Sequence, residues 1–332
     1  MSVILYACPA CRAAMPVLNE PDACPVCGRA FAVTLGIPSL GGSEIEPEPQ
    51  ERELIARLVA MYPTATIEEM SAARLAIGAT NEDRRTVYNQ YHRTLRERGP
   101  AFYRMFQERV RQQGWSTAER CVALDIGCGI GGGLLALAQD YERVVGLDIS
   151  LSSLLIARKV VEQAGLTNVQ LVHASAHQLP FAAEMFDFAM AINVLEHVFT
   201  PAQMLGEVRR TLKPQGVFTG DSRNRFDLFF KEPHVGLRWV GMLPRRWMET
   251  YVRWRIGVDY AATHTYLLSY GDLSRALRAT FGTRYCITLP EAAAYGATGA
   301  AGAVAEKVNR MKPLRVLTAR IAPSHIAVAQ RS

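Results

Sequence analysis

Short apolar runs alternate with amphipathic stretches over residues 121–329, and the two patterns predict different elements. The apolar runs have the length of buried strands, whereas the stretch from Leu151 to Val161 carries apolar residues at helical spacing. Strands are predicted at 121–126, 144–147, 169–173, 186–192, 217–221, 284–289 and 326–329, and helices after Gly133 and at 151–161, 205–213 and 273–281. This alternation predicts an α/β fold, a Rossmann-like sheet of about seven strands with helices on its faces.

Residues 51–114 precede this alternation and have a helical period of their own. Helices are predicted at 51–62, 66–77, 83–98 and 101–112. The third of them places Tyr88, Tyr91 and His92 on about one face, where they can pack against the sheet. Before them, residues 41–50 combine glycine, proline and acidic residues without an apolar period, which predicts a linker.

The chain has 332 residues, a formal net charge of +6 and the composition of an ordinary globular protein. Since single domains rarely exceed about 250 residues, this length predicts one large domain with smaller additions. No apolar run reaches the roughly 18–20 residues of a membrane span, and the N-terminus lacks a signal-peptide pattern, so we expect a cytoplasmic protein. The odd number of cysteines, seven, argues against a secreted disulfide framework.

Residues 1–40 contain two C-x-x-C pairs with the spacing of a metal site. The predicted ligands are Cys8, Cys11, Cys24 and Cys27. Four thiolates fill the tetrahedral shell of Zn²⁺, and Gly28 allows the left-handed turn of such a knuckle. The zinc is expected to be structural, because a segment of this size cannot fold by core burial alone. The alternative, a pair of thioredoxin-like redox motifs, lacks the strand-helix-strand setting.

A glycine-rich turn follows the first predicted strand of the sheet, and an acidic residue ends the second. The pattern Gly127-x-Gly129-x-x-Gly132 lets backbone approach a ligand closely, and Asp148 can accept both hydroxyls of a ribose. Dinucleotide-binding proteins share this pattern. Asp125, however, precedes the first glycine by two residues and would repel a pyrophosphate, whereas it suits a ligand with a cationic amino group. The sequence therefore favours a cationic nucleoside over NAD or FAD.

The run Asp125-Ile126-Gly127-Cys128-Gly129, together with Asp148, resembles the first two motifs of class I S-adenosylmethionine-dependent methyltransferases. The resemblance covers about residues 115–222. It implies a methyltransferase domain over 115–332 and S-adenosylmethionine as cofactor. It also implies a helical lid over 51–114, in which Tyr88, Tyr91 and His92 can contact the cofactor or the substrate instead of packing against the sheet. The cofactor contacts that it implies are Asp125, Gly127, Cys128, Gly129, Gly131, Asp148, Ile149, Ser175, Ala176 and Asn193. Residues 1–40 likewise resemble the Trm112-like zinc ribbons that are fused to or partnered with methyltransferases.

One of these implied contacts departs from the family. Ser175 stands where the family usually has an acid that binds the adenine amino group. A hydroxyl still forms a hydrogen bond there, but a weaker one than a carboxylate forms.

Asn193 to Val198 follow the fourth predicted strand of the sheet and resemble the family's fourth motif. Open α/β sheets bind ligands at the carboxyl ends of strands, so Glu196 and His197 are expected to face the acceptor. His197 can accept a proton from an attacking oxygen or nitrogen, although a purely structural histidine is the alternative. The predicted catalytic residues are His197, Glu196 and His234. The same nucleoside-binding fold also serves aminopropyl transfer and non-catalytic scaffolds, which stay open.

Between residues 222 and 270 the chain leaves the alternating pattern. Residues 223–255 hold eight Arg or Lys against three acids, a local charge of +5, together with three of the four tryptophans. In the family this segment commonly holds the acceptor, so we expect a substrate cap here and a second insert at 290–322. Basic and aromatic side chains suit a phosphorylated or lipid-linked small molecule. An RNA base is an alternative acceptor, and a basic amphipathic helix also suits peripheral contact with an anionic membrane.

Overall fold

The computed structural model describes residues 4, 6–15, 22–78, 98–115, 121–290, 307 and 311–332. The first six strands are two residues long and pair as three antiparallel hairpins. They are β1 (Tyr6–Ala7) with β2 (Ala14–Met15), β3 (Asp22–Ala23) with β4 (Ala30–Phe31), and β5 (Val33–Thr34) with β6 (Ile37–Pro38). The two cysteine pairs lie in the turns of the first two hairpins, as a zinc ribbon requires.

Helices follow these hairpins, much as the apolar period predicts. They are α1 (Pro49–Met61), α2 (Ile67–Gly78) and α3, the helical residues 98–112. α1 begins at a proline because the first helical turn needs no N–H donor at that position. The predicted helix at 83–98, with Tyr88, Tyr91 and His92, lies outside the described residues except for its last position.

The predicted linker at 41–50 is more structured than its composition indicates. Ser43–Ile45 forms a 3₁₀ turn, and Ile45 is buried. A Cβ atom at Gly41 would lie 2.6 Å from Cδ1 of Ile45, so the glycine makes room for this side chain. The segment therefore packs locally instead of spanning open solvent.

The remaining strands form one mixed sheet. They are β7 (Val122–Ile126), β8 (Arg143–Asp148), β9 (Val169–His173), β10 (Phe186–Ala191), β11 (Leu212–Arg223), β12 (Tyr285–Thr288) and β13 (Ser324–Gln330). Their order across the sheet is β12-β13-β11-β10-β7-β8-β9. β7, β8 and β9 run parallel, whereas β13 is antiparallel to both of its neighbours. The predicted seven-stranded α/β fold is confirmed.

Six further helices accompany this sheet in the described ranges. They are α4 (Leu134–Asp140), α5 (Leu151–Gln163), α6 (Pro201–Thr211), α7 (Arg245–Ile256), α8 (Tyr270–Phe281) and α9 (Lys312–Ala319). α6 begins and ends earlier than the predicted 205–213, because proline is favoured in the first turn and Leu212 already belongs to a strand. None of the helices in the described part of the chain has the length and apolar character needed to traverse a bilayer.

β11 differs most from its prediction, because it contains the predicted turn at 214–216. Gln215 stands where the family usually has a second glycine, and it adopts φ of 64°, in the left-handed region. A Cβ atom at Gly216 would lie 2.8 Å from the Lys213 carbonyl oxygen, so the turn requires glycine there. Lys213 is anchored by Asp187 at 2.9 Å, and Asp187 also accepts the Val122 N–H at 2.8 Å. The backbone thus turns sharply without leaving the sheet.

The chain divides into two compact units. Unit 1 comprises Met1–Arg104, Thr117–Met190 and Arg210–Gly216, and unit 2 comprises Met105–Ser116, Ala191–Arg209 and Val217–Ser332. Unit 1 contains the cysteine hairpins and β7, β8 and β9. Unit 2 contains α7, α8 and a small core of its own in the predicted insert. The buried residues of that core are Val235, Val240, Met248, Val252 and Tyr260.

Candidate functional site

The four cysteines of the N-terminal hairpins converge in unit 1. Their sulfur atoms all lie within 4.8 Å of one another. The Cys8 and Cys27 sulfurs are 3.7 Å apart, and the Cys11 and Cys24 sulfurs are 3.6 Å apart. Zn–S bonds of about 2.3 Å put tetrahedral sulfurs about 3.8 Å apart, so the donor set and its spacing fit one zinc ion.

Both knuckles use a left-handed residue after their second cysteine. Gly28 has φ of 71°, as predicted, and Arg12 at the equivalent place has φ of 61°. This conformation is costly for a residue with a Cβ atom, so contacts must hold Arg12 in place. Its N–H donates to the Cys8 carbonyl at 2.8 Å, and its guanidinium donates to the Leu179 carbonyl at 3.1 Å.

The first knuckle is also bonded to the turn that follows β9. The Ala7 N–H donates to the Pro180 carbonyl at 3.0 Å. The Gln178 side-chain amide donates to the carbonyl of Pro9, which lies between the first two cysteines. The backbone of the metal knuckle therefore helps to set the shape of residues 178–180.

His173, the last residue of β9, makes a second connection between the N-terminal segment and the sheet. Its carbonyl accepts the Leu40 N–H at 2.8 Å, and its Nδ1 lies 2.9 Å from the Ser39 hydroxyl. Its Nε2 lies 3.0 Å from the carbonyl of Ile149. Because a carbonyl only accepts, Nε2 carries the proton and Nδ1 accepts from Ser39. Burial lowers the pKa of His173, which keeps the ring neutral.

The glycine turn after β7 is bonded to the end of β8. The N–H groups of Gly127 and Cys128 donate to the Leu147 carbonyl at 2.7 and 3.0 Å, and the Gly129 N–H donates to Oδ2 of Asp148 at 2.8 Å. A dinucleotide site would direct such N–H groups at the pyrophosphate. Here these N–H groups donate to a carbonyl and a carboxylate of the protein itself, which argues against the dinucleotide alternative.

Asp148 lies buried at the end of β8, and both carboxylate oxygens are held. Oδ2 accepts from Gly129 and Oδ1 accepts from the Ser150 N–H, each at 2.8 Å. Each oxygen retains a further lone pair, so the carboxylate is oriented to accept two ribose hydroxyls without rearranging. Burial raises the pKa of Asp148, whereas the hydrogen bonds from Ser150 and Gly129 lower it.

Asp125 is a buried carboxylate for which the described part of the chain provides no counter-charge. Within the described ranges it makes neither a hydrogen bond nor an ion pair. Burial, and then the neighbouring charge of Asp148, raise its pKa well above the usual range. A Cβ atom at Gly133 would lie 2.6 Å from Oδ2 of Asp125, so glycine is needed beside it. Two carboxylates and a glycine turn fit a ribonucleoside that carries a positive charge, as S-adenosylmethionine does.

The turn predicted to contact adenine lies beside Asp148. The Ala174 N–H donates to the Asp148 carbonyl at 3.0 Å. Ser175 is buried, and its hydroxyl accepts the His177 N–H at 3.2 Å. The side chain of Ile149 is 54% exposed, so an apolar surface is open next to the ribose acid. The adenine contacts at Ser175 and Ala176 and the cofactor contact at Ile149 stay predictions.

The structure places Asn193 and the three predicted catalytic residues in unit 2. Glu196 is buried, burial raises its pKa, and its Oε2 has no hydrogen-bond partner among the residues described. Asp221 of β11 is also buried, and its Oδ1 accepts the Asn193 N–H at 2.8 Å. Burial, and then Glu196, raise the pKa of Asp221 to about 7. Two neighbouring buried acids thus oppose each other's ionisation.

His197 and His234 are in direct contact. Their ring centroids are 4.9 Å apart, and the ring planes are perpendicular, at 89°. Nδ1 of His197 lies 3.1 Å from the His264 carbonyl, so Nδ1 carries the proton and Nε2 bears the lone pair. Although His197 is exposed to solvent, desolvation by its neighbours and then His234 lower its pKa. The ring is therefore neutral at neutral pH and able to accept a proton.

Two acids of this cluster were not predicted as site residues. Glu232 contacts His234 from two residues away, and Asp221 contacts the backbone of Asn193 from the neighbouring strand. Asp221 lies toward the carboxyl end of β11, where ligands bind in open sheets. Its position in the predicted strand could therefore have identified it as a site residue. The sequence carries no such signal for Glu232, because a single acid in a basic insert has the appearance of a solvated side chain.

Sequence comparison matches residues 124–219 to a family model described as a methyltransferase domain. Residues 124–219 of the chain are thus a methyltransferase domain. The matched segment includes Asp125, Asp148 and His197. The zinc-ribbon segment and the insert of unit 2 lie outside it.

Curated relatives of the methyltransferase domain match over the same central part of the chain. The ubiquinone biosynthesis O-methyltransferase of Cereibacter sphaeroides is 37% identical over 127 residues, which cover 38% of this chain and 49% of the relative. The demethylmenaquinone methyltransferase of Bacillus velezensis is 37% identical over 101 residues, which cover 30% of this chain and 43% of the relative. The chain thus spans about half the length of the curated relatives it matches.

Solved structures also align with this chain. An S-adenosylmethionine-dependent methyltransferase from Mesorhizobium loti aligns with a TM-score of 0.45 and 18% identity, over 66% of this chain and 95% of that one. Phosphoethanolamine N-methyltransferase 2 of Haemonchus contortus, bound to S-adenosyl-L-methionine, aligns with a TM-score of 0.43 and 16% identity, over 64% of this chain and 49% of that one.

Proposed function

We propose that the protein transfers a methyl group from S-adenosylmethionine to a small acceptor. The observation that carries this proposal is Asp125, a buried acid with no counter-charge in the described ranges, next to the ribose-binding geometry of Asp148. An unpaired buried charge is costly, and a cationic ligand removes that cost. The match of residues 124–219 to a methyltransferase domain supports the same ligand.

The residues of unit 1 bind and orient the cofactor in this proposal. Asp148 accepts the ribose hydroxyls, and Asp125 with the turn at 127–131 holds the amino-acid end. Ser175, Ala176 and Ile149 border the adenine. The bound cofactor supplies an electrophilic methyl group on its sulfonium. Most of the rate acceleration then comes from holding the acceptor in line and excluding water.

The residues of unit 2 handle the proton of the acceptor in this proposal. Nε2 of His197 bears a lone pair, and the ring is kept neutral by its surroundings. It accepts a proton when the acceptor is a hydroxyl or an amine that is not already ionised. Glu196 and His234 are proposed to set the electrostatic field around it.

The acceptor is proposed to be a small, phosphorylated or lipid-linked molecule. Basic and aromatic side chains of the insert suit an anionic group joined to an apolar one. The names of two relatives, which refer to ubiquinone and demethylmenaquinone, also favour a small molecule. An RNA base is the second candidate, favoured by the same basic and aromatic composition.

Calorimetric titration with S-adenosylhomocysteine tests the cofactor site. Asp148→Ala is expected to weaken binding by at least about 100-fold, since hydrogen bonds to a charged group contribute about 1.5–3 kcal/mol each. Asp148→Asn keeps the shape of the side chain and one acceptor oxygen, and thermal unfolding of both variants distinguishes lost binding from lost folding. Glu142→Ala, which removes an exposed acid just before β8, is the matched control. Equal affinity in Asp148→Ala and Glu142→Ala would overturn the assignment of the site.

Turnover is tested with radiolabelled S-adenosylmethionine on lipid, saccharide and RNA extracts. An enzyme accumulates S-adenosylhomocysteine together with a labelled acceptor. A non-catalytic scaffold binds the nucleoside without producing either, and aminopropyl transfer would not move the methyl label. The extract that takes up the label decides between the small-molecule and the RNA acceptor.

A further inference from the structure

The insert of unit 2 exposes an unusual set of large apolar side chains. We define the residues from Phe226 to Tyr260 as the insert lobe. Its exposed apolar residues are Leu228, Phe229, Phe230, Trp239, Met242, Trp247, Trp254 and Ile256. The core of the lobe uses other side chains, including Val240 and Val252. The exposed set is therefore not needed to fold the lobe.

Helix α7 shows how the two sets are separated. Met248 and Val252, four residues apart, face the core of the lobe and are buried. Trp247 and Trp254 are 56% and 76% exposed. Seven residues is close to two helical turns, so the two indoles project from one side of α7, about 10 Å apart along its axis. One side of this helix is thus apolar, aromatic and open.

The other exposed aromatics cluster near the start of the lobe. Phe230 and Trp239 line the same cleft, and the Arg238 guanidinium donates to the Phe229 carbonyl at 2.7 Å. Trp239 adopts φ of 62°, a left-handed conformation that costs energy for a residue with a Cβ atom. The lobe keeps a large indole at this strained and exposed position.

The charges of the lobe complement an anionic partner. Its acids are engaged internally: Asp227 accepts the Phe229 and Phe230 N–H groups, and Glu232 contacts His234. Glu249 and the exposed Asp259 both pair with Arg253. Four exposed cations have no acidic partner among the described residues. They are Lys231, Arg238, Arg246 and Arg255. Two of them lie over indoles, with Arg246 5.5 Å from the Trp247 ring and Arg255 5.7 Å from the Trp254 ring.

We propose that the insert lobe docks on the surface of an anionic lipid bilayer. Trp and Arg together prefer the boundary between headgroups and acyl chains, where indoles enter and guanidinium groups meet phosphates. Single-stranded RNA would use the aromatic rings and the charges, but it has no use for exposed Leu228, Met242 and Ile256, which lack a stacking face. A bilayer surface accommodates exposed aromatic and aliphatic side chains as well as cations.

The docking does not depend on methyl transfer, and it can be measured without cofactor or acceptor. If both proposals hold, the lobe brings the protein to the compartment in which a lipid-linked acceptor resides. Failure of either one leaves the other testable, because one experiment measures nucleoside binding and the other measures vesicle binding.

Co-sedimentation of the full chain with vesicles tests the proposal. Vesicles of equal parts phosphatidylglycerol and phosphatidylcholine are expected to bind at least about tenfold more tightly than pure phosphatidylcholine, and binding is expected to weaken in 1 M KCl, where the Debye length is only about 3 Å. The double variant Trp247→Ser/Trp254→Ser is expected to bind about tenfold or more weakly, because two indoles no longer bury apolar area.

Two controls accompany this variant. Leu317→Ser removes an apolar side chain that is 64% exposed on α9, outside the lobe, and is expected to leave vesicle binding within about twofold of the parent. Arg246→Gln/Arg255→Gln keeps the indoles and is expected to lower binding to anionic vesicles only. It remains informative if the tryptophan variant does not fold.

Several results would overturn the proposal. One is the absence of vesicle binding, and another is equal binding by the parent and both lobe variants. Retention of single-stranded RNA without vesicle binding would assign the lobe to nucleic acid. A dimer that dissociates in Trp247→Ser/Trp254→Ser, again without vesicle binding, would assign it to a second copy of this chain.

Discussion

Oε1 of Glu232 lies 2.5 Å from Nδ1 of His234, and Oε2 of the same carboxylate accepts the Val235 N–H at 2.9 Å. Both carboxylate oxygens are thus occupied, which fixes the plane of the imidazole. The Nδ1 proton of His234 points at the carboxylate, so Nε2 is the nitrogen that faces away from it. The His234 ring held in this way lies against the ring of His197, with the centroids 4.9 Å apart, so Glu232 also bears on the surroundings of His197.

The first prediction follows from this contact. Glu232→Gln is expected to lower kcat by about 10- to 100-fold, because it removes the orienting charge, while cofactor affinity stays unchanged. The loss is expected to shrink at high pH, where the acceptor ionises without help. Glu232→Asp is expected to recover part of the rate.

The matched control for this prediction is Glu249→Gln in the same lobe, whose carboxylate pairs with Arg253. It is expected to leave kcat unchanged. If Glu232→Gln lowered kcat equally at every pH, or changed KM alone, the role of Glu232 would be purely structural.

The second prediction concerns the pH dependence of stability. Burial and Glu196 raise the pKa of Asp221 to about 7, compared with about 3.9 for an exposed aspartate. From about pH 4 to about pH 7 the folded state retains a proton that the unfolded state has lost. The free energy of unfolding therefore falls as pH rises through this window and levels off above it.

Asp221→Asn removes this titration and keeps an acceptor for the Asn193 N–H. It is expected to reduce the decrease in the free energy of unfolding between pH 5 and pH 7. At pH 8 it is expected to stabilise the protein, by on the order of a few kcal/mol at most. Urea unfolding at several pH values measures the effect. Asp259→Asn, at an exposed acid of the insert lobe, is the control. Parallel pH curves for the parent and Asp221→Asn would rule the explanation out.

The third prediction links the metal site to the cofactor site. The knuckle backbone is bonded to residues 178–180, and these follow the predicted adenine contacts Ser175 and Ala176. Removing zinc from the intact protein with a chelator is expected to weaken S-adenosylhomocysteine binding by about tenfold, within the range of coupling between sites. By reciprocity, the bound nucleoside is expected to slow zinc loss.

Gln178→Ala isolates this linkage because it leaves all four cysteines in place. It is expected to retain zinc, measured by metal analysis, and to bind the nucleoside less tightly. Arg29→Ala is the matched control, since the Arg29 guanidinium donates to the Gly41 carbonyl instead of the turn after β9. Nucleoside affinity that is indifferent to zinc would refute the linkage without touching the cofactor assignment.

The sheet, the two buried acids of the cofactor site and the cysteine cluster were predictable because the sequence patterns that indicate them are local. A buried strand is a short apolar run, and β7, β8 and β9 were predicted within one residue of their observed bounds. Asp125 and Asp148 were identified by their spacing from the glycine turn. The four cysteines were predicted in the same way, and the structure brings their sulfur atoms together.

The parts that sequence reasoning missed depend on contacts between distant residues or on unusual backbone. The hydrogen bond from Gln178 to Pro9 joins residues far apart in the chain, and no periodic pattern in the sequence indicates it. The turn within β11 uses a left-handed Gln215, a conformation for which glycine is the usual signal. The pair formed by Glu232 and His234 depends on a local turn within the insert, whose own fold has no strand or helix pattern at that point.

The N-terminal hairpins have a consequence for association between molecules. β9 is the outermost strand of the seven-stranded sheet on its side, and an uncovered outer strand offers its backbone to other chains. The Leu40 N–H already occupies the His173 carbonyl, and Ser39 pairs with His173 in a parallel bridge. The N-terminal segment therefore covers part of an outer strand that would otherwise be open to pairing with another chain, and this cover is independent of any role in catalysis.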